Sequence, residues 1–138
     1  MAINETHAGR RYPPTTPYEV SAAKIAEFAT ALGEDPAAAP RVAPPTFAAV
    51  VTSPAWQQLF DDPELELTLN RVVHGDQTFR YSRPLRAGDV ITAELTITQV
   101  RARAGRELIS ITVAVATTDG EPVCTADSTL IHTREAAA

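Results

Sequence analysis

Proton-transfer chemistry needs an acid and a base within reach of one substrate, and two stretches of this chain carry residues of those types. GEDPAAAPRVAPPTF, residues 33–47, carries Glu34 and Asp35 at its start and then offers only alanine, proline, Arg41 and Val42 before its last three residues. RVVHGDQTFRYSRPLRAGD, residues 71–89, sets His74 two positions before Asp76. On a regular strand that spacing turns both side chains to one face, although they need not touch. The other histidines, His7 and His132, lie near the chain ends, and Ser110 and Ser128 sit in strand-like runs with no nucleophile elbow. Six glycines are scattered singly, so no phosphate-cradling loop is expected. One cysteine and three dispersed histidines give no zinc-type spacing, and neither metal nor cofactor is expected. Asp61-Asp62 and the Glu64/Glu66 pair read as a solvated helix end and strand start.

The elements that must position these groups follow from periodicity. Residues 1–19 are Pro-rich and read as extended, with Tyr12 and Tyr18 anchoring them. Ser21 is an N-cap for SAAKIAEFATALG, whose Ile25, Phe28, Ala29 and Leu32 form one apolar face, and Gly33 ends the helix. Residues 34–45 hold four prolines in twelve positions and read as a stiff connector. TFAAVVTSPAWQQLF predicts a helix buried by its surroundings, broken or restarted at Pro54. Alternation then takes over: ELELTL at 64–69, QTFRYSR at 77–83, and long strands over 89–100, 106–118 and 121–133. Asp119-Gly120 reads as a type I′ hairpin turn. Helices first and antiparallel strands after predict an α+β fold, with one helix against a strongly curved sheet. The exposed sheet edges make a dimer the expectation.

At 138 residues the chain is long enough for one hydrophobic core. Its composition, 44% hydrophobic and 21% charged, is that of a soluble globular protein. Net charge is −5, which argues against a general nucleic-acid binder. Residues 71–106 nevertheless carry seven arginines against three acids. That balance reads as solvated strand faces, or as a basic rim for an anionic partner. No apolar run approaches the roughly 18 residues of a membrane span, the N-terminus has no apolar h-region, and the lone Cys124 reads as a buried, inert thiol. Together these favour the cytoplasm.

The layout, with APPTF (43–47) and RVVHGDQTFRYSRPLRAGD (71–89), resembles the hot-dog fold of the MaoC-like (R)-specific hydratases and dehydratases. More narrowly it is similar to the MaoC-type N-terminal dehydratase branch, the HadA-like subunits of (3R)-hydroxyacyl-ACP dehydratases. RRYPPTTPYEVSAAKIAEFATALG fits that branch too, so the resemblance covers roughly residues 10–133 of a single domain over 1–138. Within it, 1–19 is the N-terminal segment, 34–45 the connector and 134–138 a tail. Catalytic members of the superfamily carry a loop of the type Asp-x-Asn-Pro-x-His. Laid on this chain, Asn-Pro falls on Asp35-Pro36, the histidine on Ala38 and the aspartate on Gly33, and the usual spacer before APPTF is missing. The resemblance therefore implies a chain without the catalytic pair. His74 and Glu34 are the only weak substitutes.

The same resemblance implies an acyl-thioester pocket around Pro45, Thr46, Phe47 and Val50, with His74 and Gln77 as further substrate-binding candidates. Pro45 would set a helix start and Thr46 would cap it; Phe47 would line an acyl channel or simply fill the core. Arg80, Arg83 and Arg86 are the candidate rim for a CoA or carrier-protein phosphate. Three readings stay open. The first is a non-catalytic substrate-binding or stabilising subunit of a dehydratase or hydratase, paired with a MaoC-like catalytic chain. The second is a homodimeric hydratase or thioesterase with displaced residues. The third is a module that binds acyl-CoA or acyl-carrier protein without turnover, in fatty-acid or polyketide metabolism.

Overall fold

The computed structural model describes residues 2–135. Alternation in the second half of the chain becomes four long strands: β2 (Val72–Tyr81), β3 (Val90–Arg103), β4 (Arg106–Thr117) and β5 (Pro122–Thr133). A two-residue β1 (Tyr18–Glu19) joins them in one antiparallel sheet of order β1-β3-β4-β5-β2. The fold is α+β. Ile91, Ala93, Leu95 and Ile97 of β3 are buried on one face, together with Ile109, Ile111, Val113 and Val115 of β4. A register shift between Ile97 and Gln99 bends the sheet, which curls around the long helix α2 (Ala48–Asp61). That helix buries Ala48, Val51, Ala55 and Leu59 against the sheet. Small residues at three of the four positions let helix and sheet approach closely.

The shorter helix α1 (Ala22–Ala31) starts where Ser21 Oγ accepts from the Lys24 N–H at 3.1 Å, and Gly33 at φ +80° lets the chain turn away after it. Ile25 and Ala29 are buried and Phe28 half-buried, but Leu32 is exposed, so the apolar stripe is one residue shorter than expected.

Three sequence expectations are corrected. First, α2 runs unbroken through Pro54. The ring sits on the solvent-facing side, and packing of the opposite face outweighs the lost backbone bond to Val50. Pro54→Ala restores that N–H without touching the core. It is expected to raise stability by about 1 kcal/mol, read as a higher urea midpoint at unchanged m-value. Second, ELELTL is not a strand. Leu65 is buried and Leu67 half-buried, but Leu69 is 68% exposed, and Leu65 O instead accepts from the Ile3 N–H at 2.9 Å. Third, the type I′ geometry lies at Ala104-Gly105, with φ +51° and +78° between the paired Arg103 and Arg106. At Asp119-Gly120 only the glycine has positive φ, so the turn is of the wider kind with a left-handed glycine before β5.

The N-terminal segment is extended apart from an Asn4-capped 3-10 turn at Glu5–His7. It runs along the outer edge of β3: Gly9 and Tyr12 donate to Ile97 O and Leu95 O, Thr15 donates to Ala93 O, and Arg10 O accepts from Ile97. Tyr12 Oη donates to Asp62 at 2.6 Å and Arg10 pairs with the same carboxylate at 2.8 Å, tying the segment to the end of α2. Of the expected tail, residues 136–138 lie outside the described residues.

Candidate functional site

Pro45, Thr46 and Phe47 form a 3-10 turn that runs straight into α2, with Pro45 at its first position. Thr46 does not cap the helix; its side chain makes no capping bond, because the preceding turn already continues the backbone ladder. Phe47 is completely buried, its ring edge-on to Phe28 at 5.4 Å, which makes it core rather than channel wall. Val50 is half-buried one turn further on.

Tyr81, at the end of β2, holds this helix start: its hydroxyl donates to Pro45 O. Burial, with the neighbouring Cys124 thiol, pushes the phenol up to about 12, so it stays protonated as a donor. Alternation in QTFRYSR puts Tyr81 on one side of the strand with Gln77 and Phe79 and says no more of it. Its tie to Pro45 depends on how the connector packs, which periodicity does not report. Cys124 itself is buried and pushed up to about 11, an unreactive thiol.

Two grooves flank Pro45. One, of about 440 Å³, lies between the connector and the end of β2 and is lined by Val42, Ala43, Pro45, Tyr81, Ser82, Arg83 and Pro84. The other, of about 480 Å³, lies under the connector and includes Glu34, Asp35, Pro36 and Ala38. The connector is pinned by Ala43 N–H to Leu85 O and Ala87 N–H to Arg41 O, each at 2.9 Å. Asp35 Oδ1 accepts from the Ala37 N–H at 2.9 Å, shaping the turn at the start of the loop. Glu34 is exposed, and no histidine lines either groove.

His74 sits elsewhere. A cavity of about 200 Å³ between α2 and β2 is lined by Ala49, Thr52, Ser53, Trp56, His74 and Gln77, with the His74 ring 5.0 Å from the Trp56 ring. His74 and Glu34 therefore line different cavities. Nor do His74 and Asp76 share a face. Gly75 is an extra residue in β2, since His74 pairs with Leu130 while Asp76 pairs with Thr129. The bulge turns Asp76 to the opposite side of the sheet, where Oδ1 accepts from the Thr129 N–H at 2.9 Å. Gln77 does face the helix, but its amide is engaged inside the sheet: Nε2 donates to Asp127 O, and Oε1 accepts from the buried Ser128 hydroxyl.

The proposed arginine rim divides. Arg80 and Arg86 are exposed, and Arg80 lies 4.0 Å from Asp127. Arg83 is half-buried and committed to structure. It grips Asp89 through two bonds of 2.9 and 3.0 Å and Glu121 at 3.1 Å, so it is not free for a phosphate.

The profile of the FAS1-like dehydratase domain region matches residues 6–126. The chain belongs to that family. Among relatives of this FAS1-like dehydratase-region chain, a UPF0336 protein of Cutibacterium acnes is 51% identical, over 97% of this chain and 96% of its own. The C-terminally truncated HadBC (3R-hydroxyacyl-ACP dehydratase) complex of Mycobacterium tuberculosis is 27% identical with TM-score 0.79, covering 91% of this chain and 96% of that one. A MaoC-like dehydratase is 26% identical with TM-score 0.79, over 93% of this chain and 42% of that longer one. The fold is the hot-dog of the MaoC-like dehydratases, as the two word-like stretches implied. Among the described residues no helix is long and apolar enough to cross a membrane.

Proposed function

We propose that this chain is the non-catalytic, substrate-binding and stabilising subunit of a (3R)-hydroxyacyl-thioester dehydratase or enoyl-thioester hydratase. The supporting observation is the groove beneath the connector. Where an acid and a base would be needed, it presents Glu34, Asp35, Pro36 and Ala38 and no imidazole. Dehydration removes a proton next to the thioester carbonyl and protonates the leaving hydroxyl, and hydration reverses both steps. A MaoC-like partner brings those two groups, and this chain supplies apolar walls around Pro45 and Tyr81 for the acyl part. The HadBC complex of Mycobacterium tuberculosis supports a two-chain arrangement. Arg80 and Arg86 are the groups left for the phosphate of CoA or a carrier protein. The same reading places the work in the cytoplasm, where the single thiol of Cys124 stays reduced.

Hydration of short- and long-chain enoyl-CoA tests this, with the chain alone and co-expressed with a MaoC-like chain from the same genome. Turnover is expected only in the mixture, falling at least about a hundredfold when the partner's catalytic histidine is replaced. Turnover by this chain alone that disappears in His74→Ala would overturn the reading and make the chain a hydratase with a displaced base.

A further inference from the structure

We infer that the outer face of the sheet, at the end where β3 turns into β4, is a docking surface for an acidic amphipathic helix of another protein. The surface lies apart from the grooves around Pro45 and does not depend on the subunit reading above.

The strand register assembles it. Val100, Ile109, Leu130 and His132 are buried on the helix side of the sheet, so their neighbours along each strand face outward. Arg101 pairs with Leu108, Leu108 with Ile131, and Ile131 with Val73, which lays one arginine and three apolar side chains in a row across four strands. Leu108 and Ile131 are half-buried and Val73 is 62% exposed. In the next outward row, nearer the turn, Arg103 stands directly opposite Arg106.

Like charges directly opposite one another work against a hairpin, and nothing in the chain offsets these. Arg101, Arg103 and Arg106 are exposed and have no acidic partner among the described residues. Glu107, next in sequence, points the other way, fully buried and bonded to Arg134 at 2.8 Å. Arg101 meets only the neutral Gln99 amide, 3.2 Å away once its oxygen is turned to accept. In a chain of net charge −5, three cations without acids gather on one small face. The partner that neutralises them is anionic.

The apolar row says what kind of anion. Neighbouring strands lie about 4.8 Å apart, close to the roughly 5.4 Å rise of one helical turn. A helix lying across the strands sets one apolar side chain per turn on Val73, Ile131 and Leu108 in succession. Its flank toward the turn falls on Arg103 and Arg106. The other flank falls on Ser110, Thr129 and the carboxylate of Asp76. Acids are welcome on the first flank alone, so the face selects a helix with an apolar stripe and one acidic edge, and sets its direction across the strands. A lipid surface fits less well. Leu108 and Ile131 lie too deep to enter an acyl layer, and the arginines sit to one side of the apolar row instead of around it.

Two synthetic amphipathic helices test this, identical in their leucine stripe, one with glutamates and the other with lysines along a single flank. Binding to the whole chain is read by fluorescence anisotropy, and the contact is mapped by amide chemical shifts. The net charge of −5 favours the lysine helix, so a preference the other way reports the local face. The glutamate helix is expected to bind at least about tenfold tighter, to weaken with salt, and to shift the amides of Val73, Arg103 and Leu108. The double variant Arg103→Gln, Arg106→Gln is expected to abolish that preference without lowering the urea midpoint of the free chain. Val73→Asp is expected to weaken the glutamate helix about tenfold. Equal affinity for the two helices, or shifts confined to the grooves around Pro45, overturns the inference. Sedimentation with phosphatidylserine vesicles that is lost in the double arginine variant assigns the face to a lipid surface and overturns it too. Self-association lost in the same variant assigns it to a second copy instead. Hydration by the mixture tests the subunit reading separately.

Discussion

Phe47→Ala is expected to cost the fold about 4 kcal/mol and to lower the melting temperature by roughly 12 °C. The ring is fully buried and meets Phe28 edge-on, so truncation opens a void that the surroundings fill only in part. The position magnifies the loss. Phe47 ends the 3-10 turn that starts α2 and packs on α1, so its side chain joins the two helices and braces the connector between them. Phe47→Leu, which keeps most of the volume, is expected to cost about 1 kcal/mol. Urea denaturation separates the two roles weighed for this residue. A ring lining an open channel would tolerate truncation to alanine with little change in midpoint.

Arg83→Met is expected to destabilise by about 2 kcal/mol at neutral pH and to move acid unfolding to higher pH. Arg83, Asp89 and Glu121 join the end of β2, the start of β3 and the turn before β5, and the Arg83 and Asp89 side chains are only 20% and 16% exposed. Burial alone would push the Asp89 carboxyl up. The paired guanidinium and the Arg86 N–H more than reverse this and hold it below its ordinary value. A carboxyl depressed in the folded state contributes stability that is complete above the ordinary aspartate range and is lost as pH falls through the folded value. In the methionine variant the burial effect loses its counterweight, the carboxyl moves up, and that contribution is lost at a higher pH. Paired unfolding curves between pH 7 and pH 3 read the effect. Parallel curves, with the same gap at every pH, would sink the account.

The strands were legible because β3 to β5 alternate strictly and bury one face: Ile91, Ala93, Leu95 and Ile97 could point inward together only on an extended chain. The Ser21 cap and the Gly33 stop were legible for the same local reason. ELELTL shows the limit. Its alternation is as good as that of β3, but no strand lies beside it to accept the ladder, and the chain uses Leu65 to hold Ile3 instead. The turns were misread because a dipeptide rule favours Asp-Gly, whereas the spacing between paired residues decides which turn fits, and only Arg103–Arg106 leaves room for two residues. At the candidate site, the lack of a histidine in the connector was visible directly. The separation of His74 from Asp76 was not, because one glycine inside a strand does not say whether the partner strand will skip it. Tyr81 on Pro45 and Trp56 against His74 are contacts across the fold that neither residue's neighbours in sequence announce.

The Gly75 bulge also determines how the gene can change length here. The pairs on either side, His74 with Leu130 and Asp76 with Thr129, are already those of an uninterrupted ladder. Deleting one codon at position 75 would therefore close the ladder with every neighbour still facing as before. A Cβ there would meet Thr129 O at 3.2 Å, so substitution is the harder change. Deleting one codon further along β2, between Gln77 and Tyr81, would throw the remaining residues out of phase and turn Tyr81 away from the connector it holds. Within one strand, the same one-residue loss is harmless at one position and ruinous a few residues later.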